Sequence, residues 1–496
     1  MRCVVVMLML VVVGESIGQV FQSGPVIGAV TPTSARVVFQ VNEAVPVVLT
    51  VEEDFLGTVR RDTLHPPFLH GFGRFDLDGL SPYTVHELDL SVVGHPDVSV
   101  HGRFRTFPPE GHRGIYTVVA GSCQETENMK VFDVIPRHDP LLMVHTGDYT
   151  YPDYQIAPDY SADYATVARS YTRRYNEKKM KEMLRSVPID YVFDDNDHVG
   201  GSSGRFCKND FESEERGLLR VENFFRADSF PRSWLRNVIR GYADFFPHYP
   251  LEDTAEAIHH SFVLGNAEFF VLDRNSTRPF PYSYAFRRDR RGRWAFAPPD
   301  DHCLFCPAQM AWLKEGLRTS TADWKFIVSG VPLNRNLSKL IHAGLDVQSL
   351  RAKGYSGFHM AYGFASYWAG YPAELEDFHR FIEEEGITDV IAITGDTHHN
   401  AMDDGTNAGI PELNASGLSV TGTYLAKYLD LLGLLTGRFR IERDIWNQGG
   451  NCIGNDNDKN AFGKVVIHGN EFVELSIVDE DDHVISSFRV PHSSAR

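Results

Sequence analysis

Positive charge is what this chain is short of. Across 496 residues, 48 lysines and arginines face 66 aspartates and glutamates, a formal net charge of −18. Binding a nucleic-acid backbone needs clustered cations that displace counterions, so nucleic acid is excluded as the main partner. A small anionic substrate is not excluded, because bound metal ions reverse the local sign. Long apolar runs are also scarce. The one at the amino terminus, Cys3 to Val13, follows Arg2 and precedes Ser16-Ile17-Gly18. It reads as a secretory signal over residues 1–18, too short to span a bilayer comfortably, with an uncleaved anchor as the lesser alternative. No later stretch reads as a membrane span, and the expected location is therefore secreted, periplasmic or extracellular. Cysteine is sparse at six residues, five once Cys3 leaves with the signal. If Cys123 is a metal ligand, the other four form two bridges in an oxidising compartment, expected as Cys303–Cys306 and Cys207–Cys452. Zinc at Cys303 and Cys306 is the weaker reading, since no second pair stands at ligand spacing. Internal repeats and low-complexity tracts are absent, and nothing in the sequence indicates an oligomeric state.

What is there begins with β-structure. From about Gln19 to Phe107, short runs such as VIGAV, ARVVFQV, PVVLTV, RFDLDGL and HELDLSVV are separated by Pro, Gly and Asp turns, the spacing of a small antiparallel sandwich. Leu80-Ser81-Pro82-Tyr83 resembles the turn before a late strand of fibronectin-type modules. Residues 108–114, with Pro108-Pro109-Glu110-Gly111, read as a linker. From Ile115 to the end the texture changes. Apolar strand runs alternate with amphipathic helical segments, Tyr164–Val187, Pro307–Leu317 and Pro372–Glu385, which argues an α/β domain with helix-covered sheets. GKVVIHG, FVELSIVD and HVISSFRV near the carboxyl end read as antiparallel strands closing a sheet.

Four of the strand runs end in residues that bind metals. TVVAGSCQ (Thr117–Gln124), LLMVHTGDYTYPDY (Leu141–Tyr154), IDYVFDDNDHVGG (Ile189–Gly201) and DVIAITGDTHHN (Asp389–Asn400) are apolar runs that end in Cys, Asp, Tyr or His. One Gly-Asp at a strand end is ordinarily a turn, and one buried cysteine a small hydrophobe. Four together point to one site at the carboxyl edge of a sheet. Asp148 stands where a carboxylate bridges two cations, and Tyr151 where a phenolate binds one. With the Cys123 thiolate, these donors favour a trivalent ion, iron(III) being the natural candidate. Asp195, Asp396 and His398 add ligands, and a centre of this kind lowers the pKa of bound water and supports in-line displacement at phosphorus.

The motifs GSCQ (Gly121–Gln124), GDYTY (Gly147–Tyr151), DDND (Asp194–Asp197) and GDTHH (Gly395–His399) resemble the alkaline phosphatase D family of calcineurin-like and purple-acid-phosphatase-like metallophosphoesterases. CPAQMAWLKEGL, WAGYPAE and PELNASGLS are subsidiary matches. The resemblance implies a four-layered αββα catalytic domain behind the small sandwich, and a metal-bound hydroxide at a binuclear centre hydrolysing a small phosphate ester. One ion, iron(III), would take Cys123, Asp148, Tyr151 and His398. The second, calcium or another divalent ion, would take Asp148 as bridge with Asp195 and Asp396.

The chain departs from the family pattern twice. Asn196 stands where the family usually has the His that protonates the leaving group, and an amide is no general acid. His198 or His399 would replace it. Gly330 in IVSGVPL stands where the family often has Gln. Arg278, with Asp273 in FFVLDRNSTR, resembles the family's Asp-Arg element and would contact phosphate, or else form a surface ion pair. Asn196 also keeps open a catalytically weakened, phosphate-binding protein; a phosphodiesterase or phospholipase-type hydrolase is the other alternative. The run RRDRRGR (Arg287–Arg293) reads first as a solvated hairpin tip and second as a contact for a polyanion or phospholipid headgroup. Gly200–Gly204 reads as a loop or substrate lid. Asn275, Asn336 and Asn414 head glycosylation sequons.

Overall fold

The computed structural model describes residues 20–495 apart from 54–56, 58, 127–128, 153–162, 199–231, 253–255, 280–281, 353–354, 420–431, 433–443 and 452–458. The signal segment, the Gly200–Gly204 loop, Cys207 and Cys452 lie outside the described residues.

Seven strands open the chain: β1 (Phe21–Gly28), β2 (Ser34–Val41), β3 (Val47–Glu53), β4 (Val59–Leu64), β5 (Phe72–Asp78), β6 (Val85–Val92) and β7 (His95–Arg105). They form two antiparallel sheets, β1-β2-β5 and β4-β3-β6-β7. The all-β expectation holds, with β4 and β7 added; their exposed, charged faces carry little apolar signal. This unit is not isolated. Lys181 Nζ donates to the Gln22 carbonyl at 2.7 Å, and Gln40 Nε2 donates to Thr172 Oγ1 at 2.8 Å.

The remaining strands are β8 (Ile115–Gly121), β9 (Leu142–His145), β10 (Ile189–Tyr191), β11 (His260–Leu264), β12 (Ala267–Val271), β13 (Phe286–Arg288), β14 (Trp294–Phe296), β15 (Trp324–Val328), β16 (Arg351–Ala352), β17 (Tyr355–Ser356), β18 (Val390–Thr394), β19 (Asn400–Asp404), β20 (Pro411–Ala415), β21 (Ala461–His468), β22 (Phe472–Asp479) and β23 (Val484–Pro491). Two six-stranded sheets result, ordered β10-β9-β8-β21-β22-β23 and β11-β12-β15-β18-β20-β19. In the first, β10, β9 and β8 run parallel; in the second, β12, β15, β18 and β20 do.

Alternation along the strands makes four layers. Val118, Ala120, Leu142 and Val144 of the first sheet share one core with Phe269, Val271, Phe326, Val328, Ile391 and Ile393 of the second. Their odd-numbered neighbours Val119 and Met143 turn to the other face, against Val131, Phe132, Met180 and Tyr171. Phe270, Ile327 and Ala392 turn outward against Leu313, Leu317, Leu375 and Phe378. Side chains of period two facing helices on one side and a sheet on the other are what an αββα sandwich requires. Between the sheets, Tyr249, Phe262, Phe269 and Phe326 stack with successive centroid distances of 4.4, 4.8 and 4.6 Å. No helix among the described residues is long and apolar enough to cross a membrane.

Two expectations need correction. The helix expected over Tyr164–Val187 is two, Tyr164–Asn176 and Lys178–Leu184, broken where Glu177 adopts ψ 121°. The Glu177 carboxylate is thereby turned onto Arg174 and Gln124. Cys303 and Cys306 are free thiols. The segment between them is held instead by Glu374, which accepts the Leu304 N–H at 2.8 Å and the Phe305 N–H at 3.3 Å. Two sequons are inaccessible, since Asn275 and Asn414 are fully buried.

A buried ion pair ties the two sheets at one edge. His260 on β11 and Asp190 on β10 meet at 3.1 Å, essentially without solvent exposure. Burial opposes charge on the imidazole, but Asp190, together with the Ile258 carbonyl, outweighs it and raises the His260 pKa. A raised histidine pKa stabilises the fold fully below about 6.5, and that stability fades as pH rises through the folded value. Asp190→Asn should cost about 3–5 kcal/mol in urea unfolding at pH 6, the cost of breaking a buried pair. The difference from wild type should shrink by pH 9; a pH-independent difference would refute the assignment.

Candidate metal centre

Parallel strands deliver the site. β8, β9 and β10 end just before Cys123, Asp148 and Asp195, while β12, β15 and β18 end just before Arg274, Gly330 and Asp396. Their carboxyl ends meet because small residues let the turns touch. A Cβ at Gly147 (φ 104°) would sit 2.4 Å from Asp194 Cβ, so only glycine fits there. Gly330 lies against the same Asp194, with its carboxyl carbon 3.2 Å from an added Cβ. Any larger residue at 330 must displace that carboxylate.

The ligand atoms of Cys123, Asp148 and His398 lie within 4.8 Å of one another, and so do those of Asp148, Asp194 and Asp195. Asp148 belongs to both groups. Tyr151 reaches it with its hydroxyl 3.5 Å from Oδ2. Asp396 lies beside this pair of groups, 3.6 Å from the Arg274 guanidinium and within charge range of Asp195 and His398. Five of the six sequence candidates, Cys123, Asp148, Tyr151, Asp396 and His398, have positive φ between 48° and 69°. Non-glycine residues take that conformation at a cost, and it concentrates at functional sites.

The electrostatics explain what the site can hold. Burial, and then the neighbouring Asp195, push Asp148 well above the usual carboxylate range. Burial likewise raises Asp194, with Asp396 and Asp195 adding to it and Arg274 opposing. Asp396 is pushed up to about 6, by burial first and then by Asp195. Burial raises the Cys123 thiol, and Asp396 adds to it. So many buried like charges cannot all ionise unless cations neutralise them. Thiolate, phenolate, imidazole and carboxylates around one shared aspartate are a donor set that fits metal binding.

The surroundings hold the donors in place. Asp197 accepts the backbone N–H groups of Asp148, Tyr149, Thr150 and Asp194 at 2.7–3.0 Å. Ser416 Oγ bridges Cys123 Sγ at 3.1 Å and the His398 N–H at 2.9 Å. Arg174 is fully buried. It donates to the Tyr149 and Gln124 carbonyls and to Glu177, and its guanidinium lies 5.6 and 5.8 Å from the Tyr149 and Tyr151 ring centres. It thus joins the GSCQ and GDYTY loops from behind.

The sequence-derived catalytic candidates separate. Asn196 is at the centre: its Nδ2 donates to Asp148 Oδ2 at 2.8 Å and to Asp195 Oδ1 at 3.2 Å. His198 is buried edge-on to Phe193, at 4.9 Å, among Asp273, Arg274, Asp195 and Arg278, and burial pushes its pKa down to about 4. His399 donates from Nδ1 to the Thr397 carbonyl at 3.0 Å, faces Trp446 at 6.1 Å, and is also lowered to about 4 by burial. Both imidazoles are therefore neutral at pH 7. Arg278 is fully buried, which removes the surface-ion-pair reading, and its charge lies close to Tyr371. Arg274, Asp194, Asp197, Ser416 and Arg174 were not among the sequence candidates. Arg274 ion-pairs with Asp194 and follows a strand end as the other candidates do, so its position was a usable signal; Arg174, inside a helix, had none.

Residues 117–423, more than half of the 496, match the family described as PhoD-like phosphatase. The chain belongs to this family. It is 24% identical over 388 residues to alkaline phosphatase D of Bacillus subtilis (strain 168), covering 72% of this chain and 58% of that relative. The chain thus spans less than two thirds of the relative's length. A solved structure of PhoD superposes with a TM-score of 0.66 at 18% identity, covering 96% of this chain and 91% of that one. Purple acid phosphatase PPD1 from yellow lupin (Lupinus luteus) seeds superposes at 0.54 with 10% identity, covering 94% and 74%. Both share the fold, in keeping with the two-sheet architecture expected for a PhoD-like chain.

Arg174→Met should leave Glu177 buried without its cation and lower stability by about 3–5 kcal/mol. Glu177→Gln with Arg174→Met should recover part of that loss. Chemical denaturation of both single variants and the double variant checks the coupling, and strictly additive losses would refute it.

Proposed function

We propose that this PhoD-like chain is a metal-dependent phosphoric ester hydrolase with a binuclear centre. The observation that carries the reading is Asp148, whose carboxylate is common to both ligand groups. Cys123, Tyr151 and His398 would hold one ion, iron(III) by donor hardness; Asp195 and Asp396 would hold the other, calcium or another divalent ion. Such ions supply Lewis acidity toward phosphoryl oxygens and activate water.

The protein's own residues do the rest. Asn196 gives its amide N–H groups to Asp148 and Asp195, where it holds the two carboxylates in place but transfers no proton. Arg278 adds a fixed positive charge near His198 to neutralise equatorial oxygens. His198, kept neutral, accepts or relays a proton rather than acting as a charged acid. With no strong acid at the leaving group, the enzyme should favour esters whose leaving groups depart unaided. Export, through the segment 1–18, fits a small extracellular phosphate ester as substrate.

Asp148→Asn should abolish bound metal and turnover of nitrophenyl phosphate together, and should remove the visible phenolate-to-iron absorption; wild-type metal content with full activity would refute the centre. Asn196→His should raise turnover of alkyl phosphates by about 10²-fold, the lower range for an added general acid, and leave nitrophenyl phosphate nearly unchanged. An equal gain on both esters would argue that Asn196 lies elsewhere in the reaction. Comparing nitrophenyl phosphate with its bis-ester decides between phosphomonoesterase and phosphodiesterase.

A further inference from the structure

The hairpin β13–β14 is the feature that the centre does not use. Its tip, residues 287–293, is exposed throughout. It carries Arg287, Arg288, Arg290, Arg291 and Arg293 against the single Asp289, on a chain of net charge −18. Asp289 is already committed inside the turn: it accepts the N–H groups of Arg291 and Arg293 at 2.8 and 2.9 Å and pairs with Arg293 at 3.6 Å. Those hydrogen bonds hold its carboxyl below the usual range, so it stays charged but neutralises only one arginine.

The base of the hairpin is rigid. Phe286 is buried, and Trp294 stacks on Phe358 with ring centres 5.0 Å apart. Gln348 accepts the Trp294 N–H at 2.8 Å and donates back to its carbonyl at 3.2 Å. Arg288 lies over the Trp294 ring at 4.3 Å. A solvated tip requires only polarity, which lysine and glutamate supply equally well. Here every cation is arginine, whose planar fork binds phosphate oxygens in pairs. Two large hydrophobic residues at the same base are half exposed: Tyr284, just before β13, and Leu350, two residues after Gln348. Arginine beside exposed aromatic and aliphatic groups is the composition of a membrane-interface contact, whereas a linear polyanion is bound by cations along a groove.

We propose that the Arg287–Arg293 hairpin docks this protein onto a lipid bilayer bearing anionic phosphate headgroups, with Leu350 and Tyr284 entering the headgroup region. The contact is peripheral and salt-sensitive, and it does not depend on the proposed hydrolysis. The residues that flank the excursion lie beside Tyr371. Arg278 precedes the hairpin with its charge close to Tyr371, and His302 follows it, stacked on Tyr371 at 4.2 Å.

The test is co-sedimentation of the full chain with vesicles of phosphatidylcholine alone or mixed with phosphatidylglycerol, at 50 and 300 mM salt. Binding should require the anionic lipid and weaken at the higher salt. The variant Arg287→Gln/Arg290→Gln/Arg291→Gln should bind roughly 100-fold more weakly, from a factor of about five per arginine. Leu350→Ser should weaken binding with the arginines intact. Turnover of soluble nitrophenyl phosphate should be the same in all three proteins, and an inactive wild type that still binds vesicles would leave docking standing while refuting the hydrolase. Docking is overturned if wild type fails to sediment with anionic vesicles, if the triple variant sediments equally, or if the protein prefers heparin or polyphosphate to vesicles.

Discussion

The structure depends on a set of acidic groups buried together around Asp148. Cys123, Asp148, Asp194, Asp195 and Asp396 converge with one guanidinium, that of Arg274, among them. Left to itself such an assembly is repulsive, and low dielectric magnifies the repulsion. The fold sustains it with fixed dipoles rather than with more cations. Four backbone N–H groups point at Asp197, and the surrounding turns hold five non-glycine residues at positive φ. Those turns are strained only in the sense that another purpose must compensate them, and cation binding is the compensation that matches the donor chemistry.

The rest of the two-sheet region keeps those turns from moving. Parallel strands put six carboxyl ends on one edge, and glycines at 147 and 330 let the ends approach to contact distance. Behind them the two sheets are clamped by an aromatic stack and by the Asp190–His260 pair. The break at Glu177 serves the same end. A continuous helix would aim that carboxylate elsewhere; the break brings it to Arg174, whose guanidinium reaches both ligand loops.

Within that frame the chain has its own character. Asn196 places a neutral hydrogen-bond donor between Asp148 and Asp195, and the two nearby histidines are too deeply buried to carry charge at neutral pH. The site is thus richer in charge to hold cations than in groups to move protons. The arginine hairpin is the opposite case, a concentration of positive charge on a chain of net charge −18, stiffened at its base.

The sequence by itself determined the architecture and where the chemistry sits along the chain. Period-two apolar runs specify strands, and the motifs ending in Cys123, Asp148, Asp195 and Asp396 are contiguous, so a local reading finds them. It also showed Asn196 as a departure, since a single position suffices for that. Only the tertiary structure decided which long-range neighbours complete the site. Arg174, Ser416 and Arg274 act through contacts with residues 23 to 293 positions away, and no periodicity records such contacts. The free thiols of Cys303 and Cys306, and the buried sequons at Asn275 and Asn414, have the same origin. Spacing along a chain says which groups are available, whereas packing decides which of them meet and which are sealed from solvent.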